Sequence, residues 1–141
     1  MYEPQPYILL IDDDDDDLEI LSSASEQKGI KVKSFESSTK ALFYLTLMSG
    51  NRELPSLIIM DYNMPKKNGQ EILSLIKDNT DTKLIPVVMY STNMHDFLKK
   101  QLLDAGALEC FNKPWTQNDF TTQVQIFRDL SYSFMSNSDL A

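Results

Sequence analysis

Four short apolar runs in this chain each stop on a polar residue with a chemistry of its own. Ile8-Leu9-Leu10-Ile11 stops at Asp12-Asp13, Leu57-Ile58-Ile59-Met60 at Asp61, Val87-Val88-Met89-Tyr90 at Ser91, and Cys110-Phe111-Asn112 at Lys113-Pro114. Runs this short and continuous suit strands buried on both faces, as in a parallel sheet covered by helices. If all run parallel, their polar ends gather along one carboxyl edge, where open α/β sheets bind ligands. Three carboxylates, a hydroxyl and an ammonium at one edge would suit a divalent cation and a phosphoryl group.

The segments between the runs read as helices. Asp is favoured at helix starts, so the first helix begins inside the Asp12 to Asp17 cluster. It carries Leu18, Leu21 and Ala24, and Gly29 ends it. Ile30 to Phe35 alternates apolar and polar residues, which suits a strand nearer the sheet edge. Ser37, Ser38 or Thr39 can cap a second helix with Ala41, Leu42, Leu45 and Met48, broken at Ser49-Gly50-Asn51. A loop from Asp61 to Gly69 leads to a third helix marked by Ile72, Leu75 and Ile76. A fourth helix carries Phe97, Leu98, Leu102 and Ala105 and stops at Gly106; Leu108 to Asn112 forms the fifth strand. The last helix starts near Thr116 or Asn118 and carries Phe120, Val124, Phe127 and Leu130. Five β-α units predict a parallel sheet with right-handed crossovers and helices on both faces. A length of 141 residues fits one domain, residues 5–133, followed by a Ser- and Asn-rich flexible tail, residues 134–141.

Charge excludes some functions. The net charge is −8, and six of the carboxylates sit in Asp12 to Asp17. Lys66-Lys67 and Lys99-Lys100 are isolated pairs, so no basic stripe offers nucleic acid a phosphate-binding surface. No apolar run approaches the ~20 residues that span a bilayer, and Met1 to Pro6 lacks the pattern of a signal peptide, so no membrane association and a cytoplasmic location are expected. The one cysteine, Cys110, precludes an internal disulfide and suits a reducing compartment.

The acidic edge carries the chemistry. Like charges at ~4 Å repel by about 4 kcal/mol at an effective dielectric near 20, so Asp12, Asp13 and Asp61 call for a cation. Magnesium takes oxygen ligands and binds through one or two carboxylates plus phosphate, so Mg2+ is the expected ion and Mn2+ the alternative. A calcium loop fails: counted from Asp12, its glycine position holds Asp17 and its glutamate position Ser23. Asp15 to Asp17 read as a solvated helix start. Burial would raise the pKa of Asp61 and a cation would keep it anionic, ready to attack phosphorus and form an acyl phosphate. Lys113 would stabilise the phosphoryl oxygens, Ser91 could donate a hydrogen bond to one, and Asn63 could offer its backbone carbonyl to the metal. His95, at the start of the fourth helix, reads as a surface residue.

With these motifs in place, the chain resembles a receiver domain of a two-component response regulator, akin to the single-domain chemotaxis receivers. Leu10-Ile11-Asp12-Asp13, Met60-Asp61-Tyr62-Asn63-Met64-Pro65 with Gly69, Pro86 to Ser91, and Asn112-Lys113-Pro114 carry the resemblance in family order. It implies a flavodoxin-like fold with strand order 2-1-3-4-5. It makes Asp61 the phosphoacceptor, Asp13 a direct ligand of Mg2+, Asp12 a ligand through water, Asn63 a carbonyl ligand, and Ser91 and Lys113 contacts of the phosphoryl group. It implies a cis Lys113-Pro114 bond. It implies a bacterial signalling protein, phosphorylated by a sensor histidine kinase or phosphotransfer protein, that changes its surface near the fourth helix, fifth strand and last helix for a downstream protein. The chain would then be no enzyme beyond its own phosphorylation and dephosphorylation. Two rivals have less support. A phosphatase of the haloacid dehalogenase type needs a second Asp where this chain has Asn63, and a phosphorylation-independent interaction module would not need the complete set of site residues.

One position departs from the family. The switch aromatic lies three residues before the lysine, where this chain has Cys110, while Phe111 points to the opposite face. Tyr90 is the candidate to take over part of that role. Cys110, if exposed, could be oxidised; the simpler reading is a small residue on an edge strand. Trp115, two residues past Lys113, is expected to report metal binding by fluorescence.

Overall fold

The computed structural model describes residues 6–51 and 53–113, together with 122, 123, 125, 126, 129 and 130. The continuous apolar runs form the three central strands, β1 (Tyr7–Ile11), β3 (Leu57–Asp61) and β4 (Val87–Ser91). β3 and β4 are buried at every position and β1 at all but its first, as expected for strands covered on both faces. β2 (Lys31–Phe35) and β5 (Glu109–Asn112) flank them. All pairings are parallel and the order is β2-β1-β3-β4-β5. β2 forms one edge, and its Lys31 and Lys33 are exposed.

Helices cover both faces. α1 (Asp15–Gln27) starts at the Asp14 cap, whose carboxylate accepts the backbone N–H groups of Asp16 (2.9 Å) and Asp17 (3.2 Å). It ends at Gly29, whose φ of +81° is left-handed backbone that glycine adopts without a Cβ clash. α2 (Ser38–Asn51), α3 (Gly69–Asp78) and α4 (Asp96–Asp104) complete the described helices longer than a few residues. Asn68 and Glu71 form a reciprocal capping box at the start of α3. His95 caps α4: its Nδ1 accepts the Leu98 N–H at 3.2 Å, a more specific role than a plain surface residue.

The core has two parts, one on each side of the sheet. Leu9, Ile58, Met60, Val87, Met89 and Cys110 pack under α2, α3 and α4. Ile8, Leu10, Ile59, Val88 and Tyr90 pack under α1, and Leu130 and Phe111 join them at the margin. Alternating residues of each strand thus serve opposite sides.

The helical stripes differ from expectation in detail. α2 continues through Ser49-Gly50 to Asn51. Gly50 has nothing within 4 Å of its missing Cβ, so no packing demand stops the helix there. In α3, Leu73 is buried and Leu75 is 43% exposed. At ~100° per residue, the stripe of Ile72, Leu73 and Ile76 leaves Leu75 about 110° off its centre. Phe97 is displaced in the same way from Leu98 and Leu102 and is 69% exposed. The expected cis bond at Pro114, Trp115, the last helix's start and its Phe120, Val124 and Phe127, and the tail 134–141 lie outside the described residues. Among the described residues no helix is long and apolar enough to cross a membrane.

Candidate functional site

Register brings the polar ends together. Ile11 pairs with Met60, Asp61 with Tyr90 and Ser91 with Asn112, so Asp12, Asp61, Ser91 and Lys113 all leave the sheet at its carboxyl edge. α3 begins close behind this edge because residue 69 is glycine: a Cβ there would lie 2.4 Å from Met89 Cε and 2.8 Å from Tyr62 Cα.

Asp12 has no exposed surface, and Asp61 is 3% exposed. Asp12 Oδ1 accepts the Asp14 N–H at 2.9 Å, and Asp61 Oδ1 accepts the Asn63 N–H at 3.0 Å. Lys113 Nζ donates to Asp12 Oδ2 (3.2 Å), Asp61 Oδ2 (3.0 Å) and Asp17 Oδ2 (2.8 Å). Asp13 is exposed, yet Asp12, Asp13 and Asp61 each offer a carboxylate oxygen, all within 4.8 Å of one another. An all-oxygen, anionic donor set of this spread suits a hard divalent cation.

The environments set the charges. Burial pushes the Asp61 carboxyl up to about 6, aided by the nearby Asp12 charge, while the Asn63 N–H and Lys113 pull the other way. Burial disfavours the Lys113 ammonium, but its hydrogen bonds to Asp17 and Asp61 and the charge of Asp12 outweigh that and raise its pKa. Lys113 therefore stays charged and offsets part of the carboxylate repulsion.

Ser91, also buried, is engaged by a neighbour. Its Oγ accepts Asn63 Nδ2 at 2.9 Å and the Asn93 N–H at 3.3 Å. The end of β5 is tied to the loop after β4, since Asn112 Oδ1 accepts the Met94 N–H at 2.9 Å and the Lys113 N–H donates to the Ser91 carbonyl at 2.8 Å.

Two residues make contacts at the rim that the sequence reading does not assign to them. Asp17 is an ion-pair partner of Lys113, with its side chain only 27% exposed. Asp15 and Asp16 are exposed, as a solvated helix start requires. The Asp14 cap supplies the missing signal: one turn beyond it, Asp17 returns to the rim. Tyr90 is the other. It is buried, its phenol donates a hydrogen bond to Asp12 Oδ2, and Lys113 Nζ lies 4.9 Å from its ring centroid. Burial first, then the Asp12 charge, pushes the phenol's pKa up, so it remains a proton donor. A tyrosine as the penultimate residue of a fully buried strand was the available clue, since its hydroxyl needs a partner. Cys110 lies on the α4 side, buried, with its thiol pushed up to about 11 by burial and by Glu109. A buried thiol held in its protonated form fits the simpler reading of this residue.

Comparison with known proteins follows the same outline. The sequence profile described as "Response regulator receiver domain" matches residues 8–125. The two-component response regulator ORR3 of Oryza sativa is 31% identical over 117 residues, covering 83% of this chain and 86% of the relative. ARR15 of Arabidopsis thaliana is 34% identical over 117 residues, covering 79% of this chain and 57% of the relative. Among solved structures, the phosphorylated cyanobacterial phytochrome response regulator RcpA aligns with a TM-score of 0.78 at 25% identity, covering 92% of this chain and 95% of that one. The Mn2+-bound form of response regulator Rcp1 aligns with a TM-score of 0.73 at 27% identity, covering 85% and 89%. The flavodoxin-like architecture is therefore shared along nearly the whole match, and the chain belongs to the response regulator receiver domain family.

Proposed function

We propose that the rim is a phosphoacceptor site dependent on Mg2+, with Mn2+ as a substitute, and that Asp61 takes the phosphoryl group. The observation that carries this is the setting of Asp61: one oxygen is fixed by the Asn63 N–H and the other by Lys113, with Asp12 and Asp13 oxygens within reach of a shared cation. That RcpA was solved phosphorylated and Rcp1 with Mn2+ on the same fold supports both parts of the reading.

Asp12, Asp13 and Asp61, with the backbone carbonyl of Asn63, would hold the ion. When bound, it neutralises charge on the phosphoryl oxygens and keeps Asp61 ionised. The donor is a phosphohistidine of a sensor kinase or phosphotransfer protein. An Asp61 carboxylate oxygen attacks phosphorus, the P–N bond breaks, and the imidazole leaves with the bonding pair and takes a proton. Lys113 turns from its carboxylate partners toward the new phosphoryl oxygens. Ser91 releases Asn63 Nδ2 and donates its hydroxyl to another oxygen. Because Asn112 ties β5 to the Met94 loop, movement of Ser91 shifts the start of α4 and the end of β5 and presents a changed surface to a protein target. We place this relay in a bacterial cytoplasm, acting through protein contacts and without direct binding to nucleic acid.

Acetyl phosphate with Mg2+ tests the assignment. Mass spectrometry should show one added phosphoryl group on the wild type and none on Asp61→Asn or in EDTA. Incorporation undiminished in Asp61→Asn would overturn the choice of acceptor. Sustained hydrolysis of a phosphate ester would instead favour a phosphatase.

A further inference from the structure

Among the three carboxylates within reach of a shared cation, Asp12 alone is wholly withdrawn from solvent, and each of its oxygens accepts a protein donor. Oδ1 takes the Asp14 N–H at 2.9 Å; Oδ2 takes the Lys113 ammonium at 3.2 Å and the Tyr90 phenol. The three donors are not equivalent. The Asp14 N–H belongs to the turn that opens α1 and stays where the backbone puts it. Lys113 is shared with Asp17 and Asp61 and keeps two partners if it leaves Asp12. The phenol's described hydrogen bond is to Asp12 alone, and its ring supports the same Lys113 ammonium.

We propose that Tyr90 competes with the cation for Asp12, so that its hydroxyl sets how tightly the rim binds Mg2+. This rests on the reading of the rim as a divalent-cation site. With no cation bound, the phenol and Lys113 would each offset part of the charge of this buried carboxylate. A cation drawing on Asp12 would share its oxygens with these donors, each of which lowers the charge the carboxylate can offer. The phenol yields because it is a single neutral donor. Removing the hydroxyl therefore weakens the metal-free state and leaves the loaded state nearly as it was, so the ion binds more tightly. Tyr90 is a positioning residue in this scheme: it acts on the ion through Asp12.

The test is calorimetric titration of the full chain, stripped with EDTA and dialysed, with MgCl2. Tyr90→Phe should bind Mg2+ about tenfold more tightly than wild type, the equivalent of one hydrogen bond to a charged group. Its metal-free melting temperature should fall, and saturating Mg2+ should recover the difference. Tyr44→Phe is the control, since its phenol donates to the Tyr7 hydroxyl at 3.0 Å, away from the rim, and its Mg2+ affinity should match wild type. A second readout needs no variant to fold: Mg2+ added to wild type should give a near-ultraviolet tyrosine difference spectrum as the phenol loses its carboxylate acceptor. Wild type that binds Mg2+ without this spectral change, or Tyr90→Phe that binds it no more tightly, overturns the proposal while the cation site stands. Wild type that takes up no Mg2+ overturns the cation site itself.

Discussion

On the α4 side of the sheet, Met89 and Cys110 meet in register and bring nothing to the rim beyond packing. One residue further along, on the α1 side, Tyr90 and Phe111 meet, and the Tyr90 phenol reaches Asp12 at the heart of the site. The two sides are built from adjacent residues of the same two strands, yet only one is wired to the charged groups. In the family pattern the ring that responds to phosphorylation sits where this chain has Cys110. Here the aromatic polar contact with the site lies on the opposite side, under α1. The Tyr90 ring thus links the rim to the core that packs against Leu18 and Leu21.

Stability should show the asymmetry. Tyr90→Ala removes a fully buried ring and a donor to Asp12, and should cost about 4 kcal/mol in denaturant unfolding. Lys113→Met leaves Asp12, Asp17 and Asp61 without their shared ammonium and should cost about 3 kcal/mol in EDTA. Mg2+ should recover most of the Lys113→Met loss and little of the Tyr90→Ala loss, because an ion replaces charge and not ring volume. Cys110→Ala should cost only about 1 kcal/mol, and the wild-type thiol should react slowly with a thiol reagent until the chain unfolds. A Cys110→Ala cost equal to that of Tyr90→Ala would break the comparison.

The smallest effect concerns pH. The folded pKa of Asp61, about 6, lies above the ordinary 3.8, so the folded chain keeps this proton where the unfolded chain has lost it. The contribution of Asp61 to stability is thus lost as pH rises through that window. In EDTA, wild type should gain melting temperature relative to Asp61→Asn on going from about pH 7 to about pH 5. Mg2+ should flatten the trend, since a bound cation favours the ionised carboxylate at both values.

Much of this was legible in the residue order. Ile8 to Ile11, Leu57 to Met60 and Val87 to Tyr90 announce buried strands by being apolar without interruption, and the groups that follow them do converge. The strand order came from family resemblance, since periodicity carries no information about which strands are neighbours. Pairings across long separations are not legible there. Tyr90 and Asp12 are 78 residues apart, and Lys113 and Asp17 are 96 apart. No local pattern encodes such pairs; they exist because register and the first turn of α1 deliver the side chains to one point. Leu75 and Phe97 fall outside the buried stripes for a smaller reason. Each is apolar and adjacent to the true stripe, and hydrophobicity alone does not separate a stripe from its shoulder.

Among the described residues, β2 leaves one row of backbone groups open at the margin of the sheet, the kind of border that can recruit a strand from another molecule. Lys31 and Lys33 stand exposed along it. Approaching a second copy border to border would crowd like charges against each other, so these lysines act as a fence against fibril-like stacking.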